Sequence, residues 1–237
     1  MNKILLTLLA IIGLQAAVFA QLTIKDPNAV VRQAKNFHGI SVGHAFQVYL
    51  VQGNEEAVAV SASEEKYRDM IQVEVKDGIL YIGMEKGIRW NFGNKKFKAY
   101  ISFKNLDRLN ISGACNVNVD GAIKSSDLSV DLSGASDFSG KLEIGKLKVD
   151  LSGASDMKAT GTATQLNINA SGASKFKGFE LITDMCNADA SGASDIRITV
   201  NKELSVKASG ASDIDYKGSG VIRDLKTGGA SSVKRAG

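Results

Sequence analysis

The sequence predicts an all-β protein, a parallel β-solenoid or β-helix of about seven coils of ~19 residues with an irregular β section before it. Three observations predict this fold. The phrase Ser-Gly-Ala-Ser, or a close variant, recurs with its glycine at Gly113, Gly134, Gly153, Gly172, Gly192, Gly210 and Gly229, at spacings of 21, 19, 19, 20, 18 and 19 residues. Around the glycines apolar and polar residues alternate, as in "LKVDLSG" from Leu147 to Gly153, which is the period of a strand with one buried face and not of a helix. Finally, 24 glycines and a single proline, with 44% hydrophobic residues and 6% aromatics, suit extended chain with many tight bends around a packed core.

In chain order, residues 1–20 read as a secretory signal peptide, with Lys3 in the positive n-region, an apolar run from Ile4 to Leu14 and a small-residue cleavage site at Val18-Phe19-Ala20. That run is too short for a membrane span, and no later stretch approaches the ~20 apolar residues that a spanning helix needs. No cysteine follows the cleavage site, so no lipid anchor is expected. Residues 21–109 lack the phrase but still read as strand. "FHGISVGHAFQVYLVQG" alternates around Ile40, Val42, Phe46, Val48 and Leu50 and ends in a Gly53-Asn54 turn. Asp77-Gly78 between two apolar runs signals a tight hairpin, because such a turn requires positive φ at both central residues. "SEEKYRDMI" from Ser63 is the one helical stretch, opened by a serine cap. This section is expected to continue the solenoid and cap its first coil, a separate small sandwich being the alternative.

Residues 110–237 are the repeats. Four positions after each glycine the residue is apolar (Val117, Phe138, Met157, Phe176, Ile196, Ile214, Val233), and so it is four before (Leu109, Val130, Val149, Ile168, Ala188, Val206, Leu225). One such unit cannot bury its apolar face alone, whereas stacked copies make a continuous core. Each coil then rises ~4.8 Å. Gly-Ala in every copy makes the bend, and the serine two after the glycine, replaced by Cys115 in the first copy, is placed to hydrogen-bond its neighbours or the bend's free amides.

The recurring "SGAS" behind a signal peptide, together with "NFHGISVGHAFQVYLVQG" at Asn36 to Gly53 and "VEVKDGILYI" at Val73 to Ile82, resembles the bacterial putative auto-transporter adhesin, head GIN domain family (the DUF2807 type), over about Phe37 to Val233. The resemblance implies an exported protein of Bacteroidetes-type Gram-negative bacteria with a β-rich repetitive fold and no established enzymatic activity.

Two acidic columns flank the phrase. Three before the glycine stand Asn110, Asp131, Asp150, Asn169, Asp189, Lys207 and Lys226; three after it stand Asn116, Asp137, Asp156, Lys175, Asp195, Asp213 and Ser232. Stacked ~5 Å apart, Asp137 and Asp156 approach the carboxylate separation of a retaining glycosidase. Asp137, Asp156, Asp195 and Asp213 are also weak candidates for Ca²⁺, which prefers oxygen ligands. The favoured reading is structural. A carboxylate beside a tight turn accepts backbone amides, the interspersed lysines relieve repulsion, and a unique active site needs groups whose environments diverge. No catalytic residue, metal or cofactor is therefore expected.

The two histidines, His38 and His44, fit no triad or metal spacing and read as exposed strand residues. No G-x-S-x-G elbow occurs. Cys115 and Cys186 lie almost four coils apart, roughly 18 Å by strand spacing, beyond the ~7 Å Cα limit for a bridge, so two buried, unpaired thiols are expected. The loop "GIRWNFGNKK" from Gly87 to Lys96 gathers Arg89, Trp90, Phe92, Lys95 and Lys96, either as a partner-binding surface or folded down as a staple on the sheet.

A net charge of +4, spread along the chain, excludes a nucleic-acid stripe. The sequence therefore points to an exported, non-enzymatic, adhesin-like protein of the periplasm, outer-membrane surface or extracellular space, binding a glycan or an envelope or host protein. The alternatives are a polysaccharide-active enzyme built on Asp137 and Asp156 and a Ca²⁺-stabilised spacer. The open C-terminal edge, blunted by Lys234 and Arg235, is a further route to a homo-oligomer.

Overall fold

The computed structural model describes residues 24–85 and 96–237; the stretch read from the sequence as a signal peptide and all of the Gly87–Lys96 loop except Lys96 lie outside them. Among these residues, sixteen strands form one sheet wound into a parallel solenoid of about seven turns. The first half contains β1 (Val30–Arg32), β2 (Gly39–Val42), β3 (Phe46–Gln52), β4 (Ala57–Ala62), the single helix α1 (Glu65–Arg68), β5 (Ile71–Lys76), β6 (Ile79–Met84), β7 (Phe97–Phe103) and β8 (Arg108–Ile111). The repeats supply β9 (Asn116–Leu132), β10 (Asp137–Leu151), β11 (Asp156–Ala170), β12 (Lys175–Ala190), β13 (Asp195–Ala208), β14 (Asp213–Lys217), β15 (Val221–Thr227) and β16 (Ser232–Arg235).

From β9 to β13 each strand runs most of the way round a coil and pairs in parallel with the next at the register that the columns require, for example Phe138 with Met157 and Asp137 with Asp156. The alternation puts Phe138, Leu142, Ile144, Leu147, Val149 and Leu151 of β10 inside. Its phase slips by one between Ile144 and Leu147, where the strand turns a corner at Gly145-Lys146. Stacking then aligns like with like. The column after the bend is buried from Val117 through Ile214, and the column before it from Leu109 through Val206.

The last coil departs from this expectation. Leu225 is 50% exposed, because β15 pairs with β13 on one side only and no further coil covers it.

In the first half, sequence order is not spatial order. β2 and β3 pair in parallel with β8 and β9 on one side and with β6 and β7 on the other. The chain thus lays down one coil, adds the outer coil β6–β7 beyond it, and returns to start the repeats on its inner side. Antiparallel strands finish this end, β5 on β6, β4 on β7 and β1 on β4. The β5–β6 hairpin turns at Asp77 (φ 51°) and Gly78 (φ 74°), both positive as the dipeptide predicts.

α1 is shorter than expected and is not capped by Ser63. It is a single turn with Glu64 at its N-cap, lacks a side-chain cap and buries none of its residues. Only the half-buried Tyr67 packs against the core, and the turn serves as the crossover from β4 to β5.

The repeat is broken in more than one place: β9 carries two extra residues opposite Ser139 to Lys141 of β10, and β12 is irregular against both of its neighbours. Lys158 and Thr160 of β11 face Lys177 and Glu180, so β12 carries one extra residue there. On its other side Gly178 and Ile182 face Ile198 and Thr199, consecutive residues of β13, so residues 179–181 form a bulge in which Leu181 is buried while Phe179 and Glu180 reach the surface.

Candidate functional site

Each bend is held by its own backbone. The alanine after each glycine donates its N–H to the glycine carbonyl of the previous bend, as from Ala154 to Gly134 at 2.7 Å and from Ala173 to Gly153 at 2.7 Å. Gly153 has φ 73°, and a β-carbon there would sit 2.5 Å from the Gly134 carbonyl oxygen, so left-handed backbone and close stacking both demand glycine. The ladder begins one bend earlier than the phrase reveals. Ala114 donates to the carbonyl of His44, which joins β2 to β3 at φ 79° and therefore stands in the glycine column.

The serine column is buried and structural. Ser136, Ser155, Ser174, Ser194 and Ser212 each donate Oγ–H to the carbonyl three residues earlier, at 2.8–3.0 Å. Several of these hydroxyls also lie near a carbonyl of the preceding coil, such as Ser194 Oγ at 3.2 Å from Ala170 O. The hydroxyls thus chiefly serve carbonyls; of the free amides that the sequence had suggested, Cys115 N–H donates to Ser136 Oγ at 3.5 Å and Gly228 N–H to Ser231 Oγ at 3.3 Å. Cys115 likewise serves a carbonyl through its thiol, 3.4 Å from Ser112 O. Both cysteines are free and buried, and burial pushes the Cys186 thiol up to about 12.

The aspartate columns stack as the spacing requires. Asp137 is the direct register partner of Asp156, and Asp195 of Asp213, with Lys175 between the two pairs. Lys177 Nζ binds Asp156 at 2.6 Å, and Arg197 binds Asp195 at 3.2 Å. In the other column Asp131 is raised by burial and by the charge of its partner Asp150. Burial pushes Asp150 upward too, but the Asn169 amide at 2.7 Å and Lys148 outweigh it and hold the carboxyl below its usual range. Among the described residues no three His, Cys, Asp or Glu side chains converge as a metal site would need.

Of the loop residues, Arg89, Trp90, Phe92 and Lys95 lie outside the described residues, and Lys96 is exposed just before β7. Neither histidine is in a strand. His38 precedes β2 and places Nδ1 2.9 Å from the Asp107 carboxylate, and His44 is a bend residue because its carbonyl must start the bend ladder.

One concave face was not singled out from the sequence. Between the column three before the glycine and a second column five before it runs a groove of about 470 Å³, lined by Asn167, Asn187, Ser205 and Asp224 on one side and Asn169, Asp189 and Lys207 on the other. Asn187 donates to Asn167 at 2.8 Å, so part of one wall is an amide ladder. The signal was present: the fifth residue before each glycine is Arg108, Ser129, Lys148, Asn167, Asn187, Ser205 and Asp224, polar in every copy.

The fold has solved relatives. A putative adhesin from Bacteroides fragilis superposes with a TM-score of 0.77 at 22% identity, covering 89% of this chain and 98% of that one. A putative adhesin from Parabacteroides merdae gives 0.72 at 17%, covering 88% and 95%. A protein from Parabacteroides distasonis named as a putative lipid binding protein gives 0.68 at 18%, covering 90% and 98%. Among curated proteins none matches the chain. With a fold shared by proteins of that name and residues 36–220 matching the family described as "Putative auto-transporter adhesin, head GIN domain", the chain belongs to that family.

Proposed function

We propose that this protein is an exported, non-enzymatic, adhesin-like binder that engages a glycan or an envelope or host protein through the outward columns of its solenoid. The observation that carries the reading is the groove between Asn167, Asn187 and Ser205 and Asn169, Asp189 and Lys207. Amides, a hydroxyl and a lysine held on a rigid sheet present many donors and acceptors, the equipment of recognition by hydrogen bonds. Membership of an adhesin family agrees with it, and the residue 1–20 segment motivates export to the periplasm, the outer-membrane surface or beyond.

A non-enzymatic role is favoured because similar polar columns recur coil after coil. Asp156, one half of the alternative Asp137–Asp156 pair, is already bound by Lys177, and the two stand in the same column of a repeat.

The test is the mature protein on an array of glycans and envelope proteins, beside Asn167→Ala/Asn187→Ala. Binding by the parent that falls about tenfold or more in the double variant supports the groove, since each lost hydrogen bond is worth about 1 kcal/mol. Undiminished binding would place recognition elsewhere. Release of reducing ends from any glycan, abolished by Asp137→Ala, would replace the binder with an enzyme.

A further inference from the structure

The bulge in β12 builds a second site on columns that the groove does not use. Phe179 is one of the extra residues, and the bulge turns its ring outward, where it is only half-buried. The bulge is fastened in place: Thr199 donates Oγ1–H to the Phe179 carbonyl at 2.8 Å, and the buried Thr183 donates to the Thr199 carbonyl at 2.9 Å. Two side-chain bonds that hold a strand irregularity in place suit a bulge that re-aims a side chain.

Around the ring lies a pocket of about 260 Å³ lined by Lys158, Ala159, Lys177, Glu180 and Arg197. Lys158, Lys177 and Arg197 are consecutive members of one column, stacked at strand spacing along the axis. Lys177 and Arg197 are steadied by Asp156 and by Asp195 and Asp215. Among the described residues Lys158 and Lys217 have no carboxylate within ion-pair distance, and Lys217 places Nζ 4.8 Å from the Phe179 ring centroid. The pocket therefore offers part of an apolar ring and the Lys158 ammonium, with the Glu180 carboxylate in its lining and the Lys217 ammonium against the ring beside it.

We propose that this pocket binds an acidic polysaccharide, a glycan that carries a carboxylate on its sugars. The ring packs against the C–H face of a pyranose, and Lys158 and Lys217 meet the carboxylates, while the axial row of cations suits a ligand that repeats along its own length. An acidic peptide strand has nothing to pair with here, because both edges of β12 are taken by β11 and β13. A lipid chain would find only Phe179 and Ala159 as apolar lining.

The experiment is gel retardation of the full mature chain in polygalacturonate, alginate, neutral dextran and poly-glutamate, with affinities from titration calorimetry on oligogalacturonate. Retardation by an acidic glycan and not by dextran or poly-glutamate is expected. Phe179→Ala should weaken binding roughly threefold to tenfold, with Phe179→Tyr restoring it. Lys158→Glu should weaken it further, whereas Lys104→Glu, the same charge change in the connection between β7 and β8, should leave it unchanged. No retardation by either acidic glycan, equal retardation by dextran or poly-glutamate, equal loss in the two lysine variants, or an unaffected Phe179→Ala each overturns the proposal. Both Phe179 and Lys158 reach the surface, and the thermal melt of each variant separates a lost site from a lost fold.

Discussion

At Gly153 two demands meet that no other residue satisfies together, a left-handed φ of 73° and a previous bend whose carbonyl oxygen leaves no room for a β-carbon. Gly153→Ala should therefore lower the urea midpoint, at a cost of more than 1 kcal/mol, without changing the m-value. The serine beside it is less strictly required. Ser155→Ala removes the hydroxyl that donates to the Ser152 carbonyl at 2.9 Å and lies 3.3 Å from that of Leu132, which keeps the Ser152 N–H, and should cost about 1–2 kcal/mol. Ser155→Cys should cost less in the same denaturation experiment, because Cys115 already fills that column and makes the equivalent bond to Ser112. The cysteines allow a chemical check. Burial raises both thiols above their ordinary range, so a thiol reagent at pH 8 should find almost none in the folded protein and two per chain after unfolding without reductant.

Among the elements, stability should follow the number of neighbours. β10 to β12 are paired along both edges, whereas β15 and β16 each have a partner on one edge only, and Val221 and Leu225 of β15 are more than half or about half exposed. Hydrogen exchange should show protection falling from β11 toward β15 and β16 as the terminal coil opens first. Uniform protection across the coils would contradict this. At the opposite end the segment before β1 is tied to β7 by Asp26, whose carboxylate accepts from Lys98 Nζ and Tyr100 Oη, each at 2.9 Å. Burial would raise Asp26, but Lys98, the Asn28 amide and Tyr100 outweigh it and hold the carboxyl down at about 2. A depressed carboxyl stabilises the fold above its ordinary value of 3.8 and loses that contribution as pH falls through about 2. Asp26→Asn should melt lower than the parent at neutral pH, and the difference should shrink across that window.

For the whole molecule, the coil count, the stacked columns and the buried faces were legible because the repeat states the same local rule seven times. The spacing of 20 between Gly172 and Gly192 even marked the place of the bulge, though not which residue it would turn outward. The column of Asn167 and Asn187 was equally present, but a polar position shows nothing special until its neighbour across the strand gives it a facing wall. The His44 bend was hidden because "VGHAF" keeps only the alanine of the phrase, and a histidine takes the left-handed position there at φ 79°.

By itself, then, the sequence determined the period, the parallel register and the inward face, since each follows from alternation and bend chemistry within about twenty residues. Only the tertiary structure decided that β2 and β3 slip between the outer coil β6–β7 and the first repeat, and that Phe179 meets Lys158 and Lys217 from other coils. Those placements depend on pairings between distant segments, whose partners are chosen by the packing of the whole sheet and not by any local pattern.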